Sequence, residues 1–315
     1  MEDGGWTFEA IGTRWRISTE VPLTSTVVRA VALRVDAFDR DWSRFRAGSV
    51  VDAVRAGAGR HRMPDDAGPL LDLYDRLHAA TGGAMSPAVG DGLEHLGYDA
   101  AYSLRPRPGH RPAADWAAVR WEPPHLVTTE PFVLDVGAAG KGYLADLVAD
   151  VVVRTQREEG ASGAVTVDAS GDLVHRAAPG ATGGTGSAGA AGLRVALEHP
   201  ERPGYAVGVA TLSGVGAATA LCGSATNRRT WGDGVHHVLD ARTGAPVDGV
   251  LATWVVAGSA LVADGLATAL FLLDPDDAAA LAGDLGASYV RLDRGPTGSG
   301  HRLLVSPDFP GEVFA

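Results

Sequence analysis

Residues 250–273 form a run of 24 in which Asp264 is the only ionisable group, and no other stretch constrains the fold as tightly. By length alone it suffices to cross a bilayer. Three features oppose a span: Ser259, Asp264 and Thr268 fall inside it, a turn-like Thr-Gly-Ala-Pro precedes it, and Asp-Pro-Asp-Asp rather than Lys or Arg follows it. The expectation is a buried strand, VLATWVVAG, running into a buried helix, SALVADGLATALFLL, each too short to span alone. Such a pair needs a sizeable core around it, and 45% hydrophobic against 21% charged residues can supply one.

The rest of the chain alternates strands with helices. TFEAIGTRWRIS alternates like one opening strand, TSTVVRAVALRVDAFDRDWSRF has helical spacing and ends near Arg46-Ala47-Gly48, and PLLDLYDRLHAAT is a second helix. FVLDVG reads as a short buried strand. It leads through Ala138-Ala139-Gly140-Lys141-Gly142 into the helix YLADLVADVVV, with Leu144, Leu147, Val148, Val151 and Val152 on one stripe. GAVTVDASGDLVH and LRVALEHP read as two further strands, and the Gly/Ala-rich stretch at 177–192 between them as a flexible surface loop. With no fixed-period repeat and no linker, one mixed domain over residues 1–315 is expected.

Lys plus Arg total 27 against 38 Asp plus Glu, a net charge of −11, so no basic surface is available to displace counterions from nucleic acid. A single cysteine, Cys222, excludes an intramolecular disulfide framework. The opening MEDGGWTFEAIG is acidic and lacks an apolar h-region, and no lipobox cysteine exists. As the sequence stands the expectation is a cytoplasmic protein, with export of a longer precursor left open.

Three Gly-rich segments carry the chemistry. In DVGAAGKGYLAD a strand-to-helix turn places backbone N–H groups and Lys141 at a helix N-terminus, an arrangement suited to a pyrophosphate. It is not a P-loop, because two residues rather than four separate Gly137 from Gly140 and Gly142 follows the lysine. A plain tight turn with a solvated Lys141 fits the local sequence as well. In ALVADGLATALF, Asp264 and Thr268 are i and i+4 on one helix face, two hard oxygen ligands suited to Mg2+, or else an Asp–Thr hydrogen bond within a packed helix. An Asp in such apolar surroundings demands a partner. In GVHHVLDARTGAPVDG, strand alternation turns His236 and His237 to opposite sides, so one can face a site.

Together these segments resemble the ApbE-like FAD:protein FMN transferases. The family's D-x-G-x-x-(A/G)-K-G-Y-x-x-D is matched by Asp135, Gly137, Gly140, Lys141, Gly142, Tyr143 and Asp146; its H-x-x-D-P-x-T-G-x-P by His237, Asp240, Ala241, Thr243, Gly244 and Pro246; its A-D-x-x-A-T by Ala263, Asp264, Ala267 and Thr268. Weaker matches are Ile11-Gly12-Thr13, Ser43-Arg44-Phe45 and the turn at residues 83–90. The six run in order from about residue 8 to residue 275. The resemblance implies an α+β fold of the ApbE, T-fold-like type. It implies an enzyme that breaks FAD, releases AMP and attaches FMN to a Thr or Ser hydroxyl of an acceptor protein.

By the same resemblance Mg2+ sits on Asp264, Thr268 and the Gly140 carbonyl, Lys141 adds charge, and His237 is the general base. Ile11, Ser43, Arg44, Phe45, Met85, Ser86, Pro87, Lys141, Asp146 and His237 contact FAD. Hydrolysis of FAD to FMN and AMP, or FAD binding without turnover, are the alternatives. Departures from the family pattern are Ile11 for Met, Ser86 for Asp, Ala88 for Thr, Asp168 and Ser170 for the Asn and first Gly of N-x-G-G-D, and Leu221-Cys222-Gly223-Ser224-Ala225 for T-S-G-D-Y. Metal and phosphate elements are intact, while those lining the rest of FAD have drifted.

Overall fold

The computed structural model describes residues 5–180, 192–215, 219–228, 230–232, 234–295 and 300–314. Eight strands form one antiparallel sheet: β1 (Trp6–Ala10), β2 (Thr13–Thr19), β3 (Val165–Asp168), β4 (Asp172–Arg176), β5 (Ala220–Ala225), β6 (Val250–Ala257), β7 (Ser288–Arg294) and β8 (His301–Val305). Their order in the sheet is their order in the chain. Helices α1 (Ser25–Trp42), α2 (Ala67–Ala80), α3 (Gly140–Glu158), α4 (Ala260–Ala269) and α5 (Pro275–Asp284) occupy the connections.

Two expected single strands are hairpins. TFEAIGTRWRIS folds back at Ile11 and Gly12, with φ of 44° and 76°, and GAVTVDASGDLVH at Ser170 and Gly171, with φ of 57° and 103°. Apolar alternation runs on through both turns and hides them. FVLDVG joins no sheet. It runs buried and extended beside residues 87–91, held by Asp135 N–H to Pro87 O (2.7 Å), Gly90 N–H to Val133 O (3.1 Å) and Val133 N–H to an Asp91 carboxylate oxygen (2.9 Å).

The two sheet faces have different covers. Ile17, Val167, Cys222 and Val255 point into the helical layer with Leu70, Val148 and Leu266. Alternate residues Leu221, Trp254, Val256 and Val290 point the other way, onto Leu197, Val207 and Leu212 of a three-stranded sheet, Leu193–Glu198, Ala206–Leu212 and Gly311–Val313. This explains the apolar run: β6 is covered on both faces and buried along its whole length. Ser259 then caps α4 by accepting from Val262 N–H (3.3 Å). The helix stops at Ala269, four residues before the expected end, and buried Arg291 donates to the carbonyls of Leu270 (3.0 Å) and Leu273 (2.7 Å). No described helix is long and apolar enough to cross a membrane. Of the loop expected at 177–192, residues 181–191 lie outside the described residues.

Candidate functional site

A cavity of about 1040 Å3 opens beside the N-terminus of α3. Ile11, Ser43, Arg44, Phe45, Met85, Ser86, Gly140, Lys141, His237, Asp264 and Thr268 all line it, although they come from turns, helices and strands far apart in the chain. Pro87 and Asp146 do not. Pro87 is buried, with its carbonyl accepting from Asp135 N–H. Asp146 faces α4, where its Oδ2 accepts from Leu261 N–H at 2.9 Å while Arg176 holds Oδ1 at 3.1 Å. It hydrogen-bonds the first turn of the helix that carries Asp264 and Thr268, and its side chain lies outside the cavity lining. Burial pushes its carboxyl above the usual range, outweighing the amides and Arg176.

Of the glycines of the α3 turn, Gly142 is needed for close packing. Gly137, Gly140 and Gly142 all lie outside the left-handed region, which removes the tight-turn explanation. A Cβ at Gly142 would stand 2.2 Å from Ala260 O and 2.6 Å from Asp264 Cβ. Its absence lets α3 and α4 meet, and Gly142 N–H donates to Asp264 Oδ2 at 2.8 Å. The expected cradle of free amides is largely engaged within the protein. Gly137 N–H donates to Asp135 Oδ1 (2.8 Å), and Ala139 and Gly140 N–H both donate to Val136 O (3.2 and 2.7 Å).

Lys141 is not solvated either; its ammonium is paired with Asp172, which is fully buried on β4. Burial pulls the Lys141 pKa down, but the Asp172 and Asp264 carboxylates outweigh it and the net shift is upward. Burial, then the like charge of Asp172, push the Asp264 carboxyl well above the usual range against the opposing pull of Lys141 and the Gly142 amide. The i, i+4 face expected of Asp264 and Thr268 is present, and Thr268 Oγ1 points at the Ala138 carbonyl at 3.5 Å. The carbonyl beside the hydroxyl is therefore Ala138's, while Gly140 opens α3. Among the described residues no group of three or more His, Cys, Asp or Glu forms a ready-made metal cage.

His236 and His237 face different ways, although the strand expected to hold both is only Val235–His236 and His237 lies in the bend after it. His236 donates from Nε2 to Val247 O (2.8 Å) and accepts at Nδ1 from Val238 N–H (3.3 Å), and burial lowers its pKa. His237 turns into the cavity.

The far part of the cavity is aromatic. Phe45 stacks on Tyr102 (centroids 5.2 Å apart) and Tyr98 on Trp231 (5.7 Å), with Phe45 edge-on to Tyr98 (6.1 Å). The Arg44 guanidinium lies 4.3 Å from the Phe45 ring centre and 4.7 Å from that of Tyr98, and it pairs with Asp135 at 2.7 Å. Sequence reasoning missed Tyr98, Tyr102 and Trp231, which no motif marks. It also missed Asp172, although strand alternation puts that residue in phase with buried Val174. Ile11 holds a left-handed φ that a β-branched residue rarely adopts, at the cavity rim.

The ApbE family model matches residues 11–290, and the chain belongs to the ApbE family. It is 26% identical over 321 residues to the FAD:protein FMN transferase of Klebsiella pneumoniae (strain 342), a match spanning 96% of this chain and 87% of that protein. Among solved structures it resembles the flavin transferase ApbE of Vibrio cholerae, with a TM-score of 0.75, 18% identity and 97% of both chains covered. The ApbE protein of Thermotoga maritima superposes with a TM-score of 0.76 at 21% identity, covering 95% of this chain and 96% of that one. The apo flavinyl transferase ApbE of Pseudomonas stutzeri gives 0.74 at 23% identity, with 96% and 94% covered. The mixed α/β fold is that of this family.

Proposed function

We propose that the chain is a Mg2+-dependent flavin transferase, which moves the FMN moiety of FAD onto a Thr or Ser hydroxyl of an acceptor protein and releases AMP. The observation that carries this reading is a single cavity uniting Asp264, Thr268, Lys141 and His237 with a wall of aromatic rings. Its volume is at the upper end for small-molecule sites, which suits a dinucleotide. Membership of the ApbE family and the name of the Klebsiella pneumoniae relative support the same conclusion.

In the reaction the acceptor oxygen attacks the FMN-side phosphorus, the bond from that phosphorus to the AMP oxygen breaks, and the acceptor proton goes to His237. An imidazole suits that task because it titrates near neutrality. Stacking on the aromatic wall orients a planar ring of the substrate, and the buried setting of Asp264 with the half-buried Lys141 limits screening by water.

A divalent cation fits the residues present. Asp172 and Asp264 are both buried with Lys141 as their shared counter-charge, and Asp172 Oδ1 is a buried oxygen with no hydrogen-bond partner. With both carboxylates ionised the site would hold more negative than positive charge, an imbalance that a bound divalent cation would offset and that the engaged amides of the α3 turn do little to correct. Asp264 and Thr268, with the Ala138 or Gly140 carbonyl, would hold Mg2+, which supplies charge neutralisation on the phosphoryl oxygens when bound.

Incubation with FAD, Mg2+ and a Thr-containing acceptor peptide should release AMP and leave a fluorescent flavinylated peptide. AMP without adduct would make the protein an FAD pyrophosphatase. FAD binding without AMP would make it a non-catalytic binder.

A further inference from the structure

Lys141 and Asp264 line the cavity, a second carboxylate, Asp172, lies fully buried behind them, and the way the three pair decides what Asp264 can do. Lys141 feels both Asp172 and Asp264, yet its Nζ is bonded to Asp172. Asp172 is fixed in the middle of the sheet, where it stands opposite Cys222 in the β4–β5 register. One of its oxygens holds Lys141 and the other has no partner among the described residues. A fully buried Asp is expensive to keep, and among the described residues the one ionic contact that this residue makes is with Lys141. Asp264, by contrast, receives the Gly142 amide on Oδ2, and no salt bridge reaches it among the described residues.

A lysine ammonium is a compact charge on a flexible four-carbon stem. Released from Asp172, it would settle on the nearest remaining buried carboxylate, Asp264, and fill the place a hard divalent ion needs. We infer that Asp172 is a positioning residue that holds Lys141 away from Asp264 and so keeps the Asp264–Thr268 seat open for a divalent cation. Lys141 then contributes charge beside the seat without closing it. The inference rests on the cation reading proposed above.

The test is Mn2+ binding to the whole protein without FAD, read from the electron paramagnetic resonance signal of free Mn2+. Wild type should bind one Mn2+, displaceable by Mg2+. Asp172→Asn should weaken binding by about tenfold, within the range over which neighbouring charges couple. Adding Lys141→Met to Asp172→Asn should restore it, because the competing ammonium is gone. That rescue separates positioning from a merely structural role, since a second core substitution does not repair a damaged fold. Asp172→Asn binding as tightly as wild type, or a double variant no better than the single one, overturns the inference and leaves flavin transfer standing. Absence of Mn2+ binding by wild type overturns the cation reading and the inference with it. If circular dichroism shows Asp172→Asn unfolded, Lys141→Met alone decides: binding equal to or tighter than wild type supports the inference, and weaker binding overturns it.

Discussion

At the end of the cavity formed by α3 and α4 every functional group is fastened to another element. Asp264 takes an amide from α3, Lys141 is locked to β4, and Asp146 of α3 hydrogen-bonds the first turn of α4. The aromatic end is assembled otherwise. Phe45, Trp231 and the pair Tyr98 and Tyr102 come from three separate segments and contact one another, with Trp231 also anchored by its Nε1–H on Leu96 O at 2.7 Å. Phe45 and Tyr102 remain 37% and 51% exposed, against 5% for Asp264. A buried, hydrogen-bonded constellation has one workable spacing, so it shows as a motif; a wall of rings can be made from many positions, so it does not. Of the departures from the family pattern, Ile11, Ser86, Leu221, Gly223, Ser224 and Ala225 line the cavity, whereas Cys222 is buried against Ala260 of α4.

Substitutions can break that contrast. Asp264→Ala should lower the rate of AMP release by at least about 1,000-fold, the scale expected when a phosphoryl-transfer site loses a cation ligand, and raising Mg2+ should not restore it. An unchanged rate with unchanged Mg2+ dependence would refute the assignment. Gly142→Ala should destabilise by about 1–3 kcal/mol as α3 is forced off Ala260, seen as a lower thermal midpoint and weakened Mn2+ binding. Trp231→Ala should weaken FAD binding only about tenfold, the scale of one aromatic pair plus lost area, with kcat little changed; a collapse of kcat would mean that the two ends are not separable. Asp146→Ala should cost about 1 kcal/mol of stability through the lost hydrogen bond to α4 without a direct loss of FAD affinity in titrations of the folded protein. A large rise in the FAD dissociation constant would return Asp146 to the ligand site.

The sequence made the helical end legible because spacing carries it. Asp264 and Thr268 needed only a helix to be neighbours, whereas His237 leaves its neighbour His236 at the bend that ends a two-residue strand. What spacing could not reveal was occupancy. Lys141 and the turn amides looked available, and the fold engages them with Asp172, Asp135 and Val136, partners fixed by sheet order and chain path. The hairpins at Ile11–Gly12 and Ser170–Gly171 escaped because apolar alternation runs on through both turns, and FVLDVG escaped because an apolar run shows burial without showing whether a sheet partner exists. Covering of β6 on both faces was legible in full, since a strand with no polar face has only one kind of home.

The bonds from Asp146 to Leu261 and from Gly142 to Asp264 bridge 115 and 122 residues of chain. The two motifs they join are consequently not interchangeable cassettes. A chimera that imports α4 from another member of the fold without its matching α3 would inherit a Leu261 amide with no carboxylate partner and a carboxylate with no amide. The unit that recombination or design must move intact is the crossed helix pair, which makes two distant stretches of gene a single heritable part.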